Sequence, residues 1–177
     1  MKIKLLWGLN FQDCIFLFIL ICNLLFVAYL GTDIYHEAVK LDTAKVNGET
    51  FIVWADEFKR NIDTNNKPEP QACLPKEHSK KEHSWKECVQ SLFGDKGKFH
   101  DLKNAIVETN PVVSKQCAKK DETTKGAFIF EKVSSSPSGA TVYTPFEGSE
   151  ILSKGLIYRI SVCDHGYYRI LIGEISL

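Results

Sequence analysis

The 177-residue chain has no excess of charge of either sign: 22 lysines and arginines stand against 22 aspartates and glutamates. A nucleic-acid-binding domain ordinarily carries a basic surplus or a clustered basic stripe. Here the lysines between positions 76 and 125 are interleaved with Glu and Asp, the pattern of a solvated polar face, so no nucleic-acid partner is expected. The signatures of common catalysts are missing as well. There is no G-x-S-x-G, H-E-x-x-H, P-loop or paired C-x-x-C, and each of those chemistries needs its residues at those spacings. His165 lies beside Asp164 in a predicted turn, where a turn-forming or solvated role is ordinary, and His36 and His100 have no evident partners in the sequence. A non-enzymatic protein without cofactor or metal is the expectation. A good signal-cleavage site is also lacking, because cleavage favours small residues one and three places before the cut. Ala28 is followed by Tyr29 and Leu30, and Gly31 has Tyr29 two places before it. An uncleaved anchor is therefore favoured over ordinary signal removal.

What is present is a long apolar run. Residues 14–30, CIFLFILICNLLFVAYL, carry no formal charge and one strongly polar residue, Asn23. As a helix the run extends about 26 Å, at the short end of a membrane span. A buried core helix normally keeps a polar stripe, and this run has none, so membrane lipid is the expected surrounding. Cys14 and Cys22 within it read as small hydrophobic residues. Lys2 and Lys4 precede the run, whereas Asp33, Glu37 and Asp42 follow it against Lys40 and Lys45. The positive-inside rule then keeps the N-terminus cytoplasmic and puts residues 32–177 on the periplasmic or extracellular side, a single-pass arrangement.

Four of the six cysteines, Cys73, Cys88, Cys117 and Cys163, fall in that outside part. An even number in an exported domain reads as two disulfides. Zinc is the alternative, because Cys73, His78, His83 and Cys88 form a Cys2His2 set. Five-residue spacing places successive ligands about 140° apart around a helix and on opposite faces of a strand, which disfavours a shared metal. The expectation is Cys73–Cys88, with Cys117–Cys163 tying the middle of the domain to its C-terminal sheet.

Ile34, Ala38, Leu41 and Val46 form one apolar helical stripe, and Phe51, Trp54, Ala55, Phe58 and Ile62 form a second at amphipathic spacing. Asn47-Gly48 between them predicts a disturbance within the helix, and TNNKPEP ends it. Residues 84–93 and 99–107 are predicted as short helices. GAFIFEKV, ATVYTPF, GLIYRISVC and YYRILIGEISL read as four strands in an antiparallel meander, covered by the stem helix. The predicted fold is α+β, with a long N-terminal helix packed on a four-stranded antiparallel sheet. Its segments are 1–13, cytoplasmic N-terminus or short leader; 14–30, transmembrane; 31–63, amphipathic stem; 64–125, a Cys-containing polar loop region; and 126–177, the sheet.

This layout resembles a type IV pilin or pseudopilin. The N-terminus is similar to the family motif of a short basic leader ending in Gly, an acid at the fifth position after the cut, and an apolar helix. MKIKLLWG ends at Gly8, Leu9 would be the first mature residue, and Asp13 is the fifth. The chain departs from the motif in having Asp where Glu is usual and Trp7 where a basic or small residue is common. The resemblance implies assembly as a homo- or hetero-oligomer through the N-terminal helix. Asp13 would pair with a neighbouring subunit's new amine, and Asn23 would hydrogen-bond between helices. The alternative is a single-pass accessory or scaffold subunit of a membrane complex that retains its signal anchor.

Overall fold

A computed structural model describes residues 10–64, 68–79 and 81–176. The chain divides into two compact units at residues 39 and 40. The described part of the first is helical from Phe11 onward. Helix α1, Phe11–Asp63, starts where Asp13 Oδ2 accepts the Asn10 N–H at 3.1 Å. An acid in this place satisfies one of the amides that a helix start leaves unpaired. Every residue of 11–39 is exposed, including Phe16, Phe18, Leu25 and Phe26.

The second unit is the α+β domain. Within it, α1 turns one face inward: Ala44, Gly48, Phe51, Trp54, Ala55, Phe58 and Ile62 are buried, at the three- and four-residue intervals of a core-facing stripe. The predicted stripe from Phe51 to Ile62 is therefore the buried one. Val46 is 52% exposed, and the buried stripe passes on either side of it through Ala44 and Gly48 instead. The expected disturbance at Asn47-Gly48 is not there, because α1 runs on without a break. Gly48 serves helix–sheet approach rather than a bend.

Helix α2, Trp85–Phe93, forms as predicted for 84–93 and has a complete capping box. The Ser84 side chain accepts the Glu87 N–H, and the Glu87 carboxylate accepts the Ser84 N–H. Residues 99–107 are turns and not the expected helix. Asn104, 4% exposed, competes there for the backbone: its Oδ1 accepts the amides of Ile106 and Val107, and its Nδ2 donates to the carbonyls of Pro111 and Lys125.

The strands are β1, Val113–Ser114; β2, Phe128–Ser135; β3, Thr141–Pro145; β4, Ile157–Cys163; and β5, Arg169–Ser176. The four expected strands are present, but the sheet is mixed and five-stranded, since β1 from the polar region pairs parallel to β2. Nor is it a meander. Strand β3 pairs with one edge of β2, and β4 pairs with β2 rather than with β3. The connection after β3 is pinned, not free: Phe146 and Leu152 are buried, Trp85 N–H donates to the Glu150 carbonyl and Lys76 N–H to the Leu152 carbonyl. That anchored loop lets the chain leave β3 and return on the other side of β2.

One sheet face and the inner stripe of α1 enclose Phe128, Phe130, Tyr158, Ile160 and Val162, together with Leu92 of α2. Each large side chain so buried stabilises the fold by about 1.5–3 kcal/mol. Between β4 and β5 the register slips, Ile160 facing Gly173 and Ser161 facing Leu171. The extra residue is Ile172, and a bulge of this kind redirects side chains. A Cβ on Gly48 would lie 2.3 Å from Ile172 Cδ1, and one on Gly173 would lie 2.6 Å from Ile52 Cδ1. The missing side chains on each element accept a branched chain from the other.

Candidate functional site

Of the residues singled out for assembly, Asp13 and Asn23 lie on α1. Gly8 and Leu9 fall outside the described residues. Asp13 is described, and its carboxylate works within its own chain, with one oxygen held by the Asn10 amide. A negative charge in the first turn of a helix also meets the positive end of the helix dipole. Asn23 is likewise engaged locally, its Nδ2 donating to the Ile19 carbonyl at 2.8 Å. Thr32 does the same to Tyr29 at 2.7 Å. Local bonds of this sort lower the cost of placing a polar side chain in hydrocarbon. The helix is long and apolar enough to cross a membrane: its most apolar 18-residue window has mean hydropathy 2.6, with no residue buried. Cys14 and Cys22 are free thiols on this exposed surface.

The Cys-His loop is settled by bonding. Cys73 is joined to Cys88 and Cys117 to Cys163, with Cα separations of 4.6 and 5.4 Å. With Cys73 and Cys88 bonded to each other, neither is a thiolate ligand for the histidines between them. His78 ends a short 3-10 turn. His83 Nδ1 lies 3.5 Å from the Glu87 carboxylate, and His100 Nε2 lies 3.1 Å from Asp101. A buried carboxylate that sequence reading passed over, Glu131, is paired with Arg169 on the other sheet face.

Several exposed carboxylates hold their protons less tightly than usual. Glu87 is lowered from 4.5 by the Ser84 amide and the nearby charge of Lys81. Glu77 is lowered by its own backbone amide and that of Lys154, and Glu122 by hydrogen bonds from Lys125 and Tyr167. A carboxyl whose folded value is depressed contributes stability that is complete above its unfolded value. That contribution is lost as the pH falls through the folded one. The thermal midpoint of the α+β domain is therefore expected to stay level from pH 7 to 5 and to fall below 4.5. Glu87→Gln should flatten part of that fall in melts recorded across the pH range, and an unchanged profile would remove Glu87 from the account.

A groove of about 190 Å³ opens between α2 and β1. Trp85, Phe130 and Phe146 form its base, with ring centroids 4.9 Å apart for Trp85–Phe130 and 4.8 Å for Trp85–Phe146. Lys86 and Lys115 stand at its rim, and Lys115 is paired with Glu147 at 3.1 Å. The sequence offered one signal for it, a tryptophan directly after a capping serine. The lysines at the rim looked like any others in the polar region. No family model, curated protein or solved structure matches the chain.

Proposed function

We propose that the chain is a non-enzymatic, membrane-anchored extracytoplasmic subunit of the type IV pilin-like or pseudopilin kind, assembling through its N-terminal helix. The observation that carries this reading is the exposed apolar helix of residues 11–39, opened by an acid and continued into a disulfide-bonded α+β domain. Every residue of that segment is exposed, and so apolar a surface needs lipid or other helices around it. Disulfides belong to an oxidising compartment, and the charge asymmetry across the apolar run puts residues 32–177 in it. The N-terminus then lies in the cytoplasm.

A second reading has its own support. Because Asp13 is already bonded to Asn10, it also suits an accessory or scaffold subunit in which the acid caps the helix and the signal anchor is retained. Two substitutions separate the readings. Asp13→Asn keeps an oxygen for the Asn10 amide but removes the charge, and Asp13→Ala removes both. If the carboxylate pairs with a neighbouring amine, both variants insert normally and both fail to co-sediment with sheared filaments or with the purified membrane complex. Normal incorporation of Asp13→Asn with loss only in Asp13→Ala assigns the acid to capping, and the accessory reading then stands.

A further inference from the structure

The aromatic groove is complemented by a feature elsewhere on the same domain. The turn between β4 and β5 is built to hold one ring outward. Tyr167 sits at φ 61°, and its hydroxyl donates to Glu122 at 2.6 Å while Lys125 lies 4.9 Å from its ring centroid. The Tyr168 N–H donates to Asp164 Oδ1 at 2.7 Å. The Tyr168 ring lies so close over Gly166 that a Cβ there would meet Cδ2 at 2.9 Å. The outcome is a braced turn with Tyr168 67% exposed, the most exposed large hydrophobic side chain among the described residues of the unit from Lys40 onward. Bracing matters because a ring held in place loses little freedom when it is bound.

We infer that the groove floored by Trp85, Phe130 and Phe146 receives Tyr168 of a second copy of this chain, head to tail. Size fits: a dry cavity of about 150 Å³ takes one benzene ring, and this groove is 190 Å³. The base consists of aromatic rings, against which another ring packs edge to face or offset. Charge fits as well. Around Tyr168, Glu122 is paired with Lys125 and Glu131 with Arg169, and Asp164 adds a negative charge. At the groove, Lys115 is paired with Glu147, and Lys86 adds a positive one. The order of strands places the groove beside β1 and the turn ahead of β5, with β2 and β4 between those strands. The donor ring and the receiving groove are thus different patches of one surface. A contact between unlike patches repeats from copy to copy, giving a ring if the rotation closes and an open filament if it does not. The inference deepens the proposed assembly function by naming a contact between outer domains.

The test uses the full chain in membranes. Benzoylphenylalanine is placed at Tyr168 of one tagged copy, a second copy with a different tag is co-expressed, and the membranes are irradiated. Mass spectrometry of species carrying both tags should find crosslinks to peptides containing residues 85–89 or 113–115, with the yield lowered at least tenfold by Lys86→Glu on the receiving copy. In parallel, Tyr168→Ala should lower co-purification of differently tagged copies by a similar factor while both disulfides remain intact. Crosslinks confined within single chains, directed to other surfaces, or absent would overturn the contact. Incorporation lost in Asp13→Asn with no Tyr168 crosslink leaves the pilin-like reading standing and removes this one. Crosslinks at the groove with Asp13→Asn incorporated normally do the reverse.

Discussion

A chain carrying both Leu20→Arg and Leu24→Arg is expected to be lost from the membrane fraction. Both positions lie well inside the exposed apolar part of α1. An arginine near the centre of a spanning helix opposes insertion by about 2.5–3.5 kcal/mol. Two together shift the partition by roughly four orders of magnitude if their costs add. The disulfide-bonded α+β domain supplies an internal reporter of the same event. If it is not exported, Cys73–Cys88 and Cys117–Cys163 should be found as free thiols, because reducing compartments do not sustain such bonds. Alkaline extraction of membranes and thiol alkylation read the two effects independently. A control exchange of similar size, Leu20→Phe, should change neither. Retention of the double-arginine chain as an integral membrane protein, with its disulfides formed, would show that the anchor lies elsewhere.

The second large effect is expected at Gly48. In an ordinary exposed helix, replacing glycine stabilises by about 1 kcal/mol. At Gly48 the sign should reverse, because the first added carbon already collides with Ile172 Cδ1 and lies 3.2 Å from both Ile172 Cγ2 and Phe128 Cε1. A moderate intrusion can be met by rotating the Ile172 side chain, but Gly48→Leu adds a branched chain that must also displace the Phe128 ring. Overpacking of a dense core typically costs about 1–3 kcal/mol, and here it opposes the main helix–sheet contact. The melting temperature of Gly48→Leu should fall by several degrees, about 4 °C per kcal/mol for a unit the size of residues 40–177. The pair Gly48→Leu and Ile172→Ala should recover part of the loss. Equal destabilisation of the single and paired variants would mean that the close approach is not what limits residue size at this site.

That position also marks the boundary of what the sequence makes legible. Apolar spacing located the buried stripe from Phe51 to Ile62 because helical periodicity registers side chains that are present. It registered Gly48 only as a weak point, since a missing side chain gives no periodic signal and its use depends on a residue 124 positions later in the chain. The capped helix at Trp85 was legible for the opposite reason: all of its stop and start signals are local. The turns around Asn104 were not, because a single amide with four backbone partners overrides a modest helical pattern. Strand positions were readable from β-branched and aromatic runs, whereas the crossing from β3 to β4 was not. Pairing order is decided by how Phe146 and Leu152 anchor the connection, and nothing in strand composition encodes that. Of the candidate site, the apolar helix and its acid were evident from charge and hydropathy. The aromatic groove was hidden because its floor comes from α2, β2 and the loop after β3, which only the fold brings together.

The place of β4 has a consequence for the order in which the domain is made. This strand lies between β2 and β5 and supplies one half of the Cys117–Cys163 bond, yet it begins at Ile157, near the end of the chain. Until it is made, β2 has only the short β1 and the exposed β3 beside it, and Cys117 has no native partner. Phe128 and Phe130 on β2 then stand without Tyr158, Ile160 and Val162 beside them in the core. Synthesis from the N-terminus therefore yields an incomplete sheet for most of its duration, with an unsatisfied edge and with Cys117 still lacking Cys163. The sheet is complete only with β4 between β2 and β5. An escort that shields that edge or guards that sulfur would act during this interval and have nothing to hold once the strand is in place.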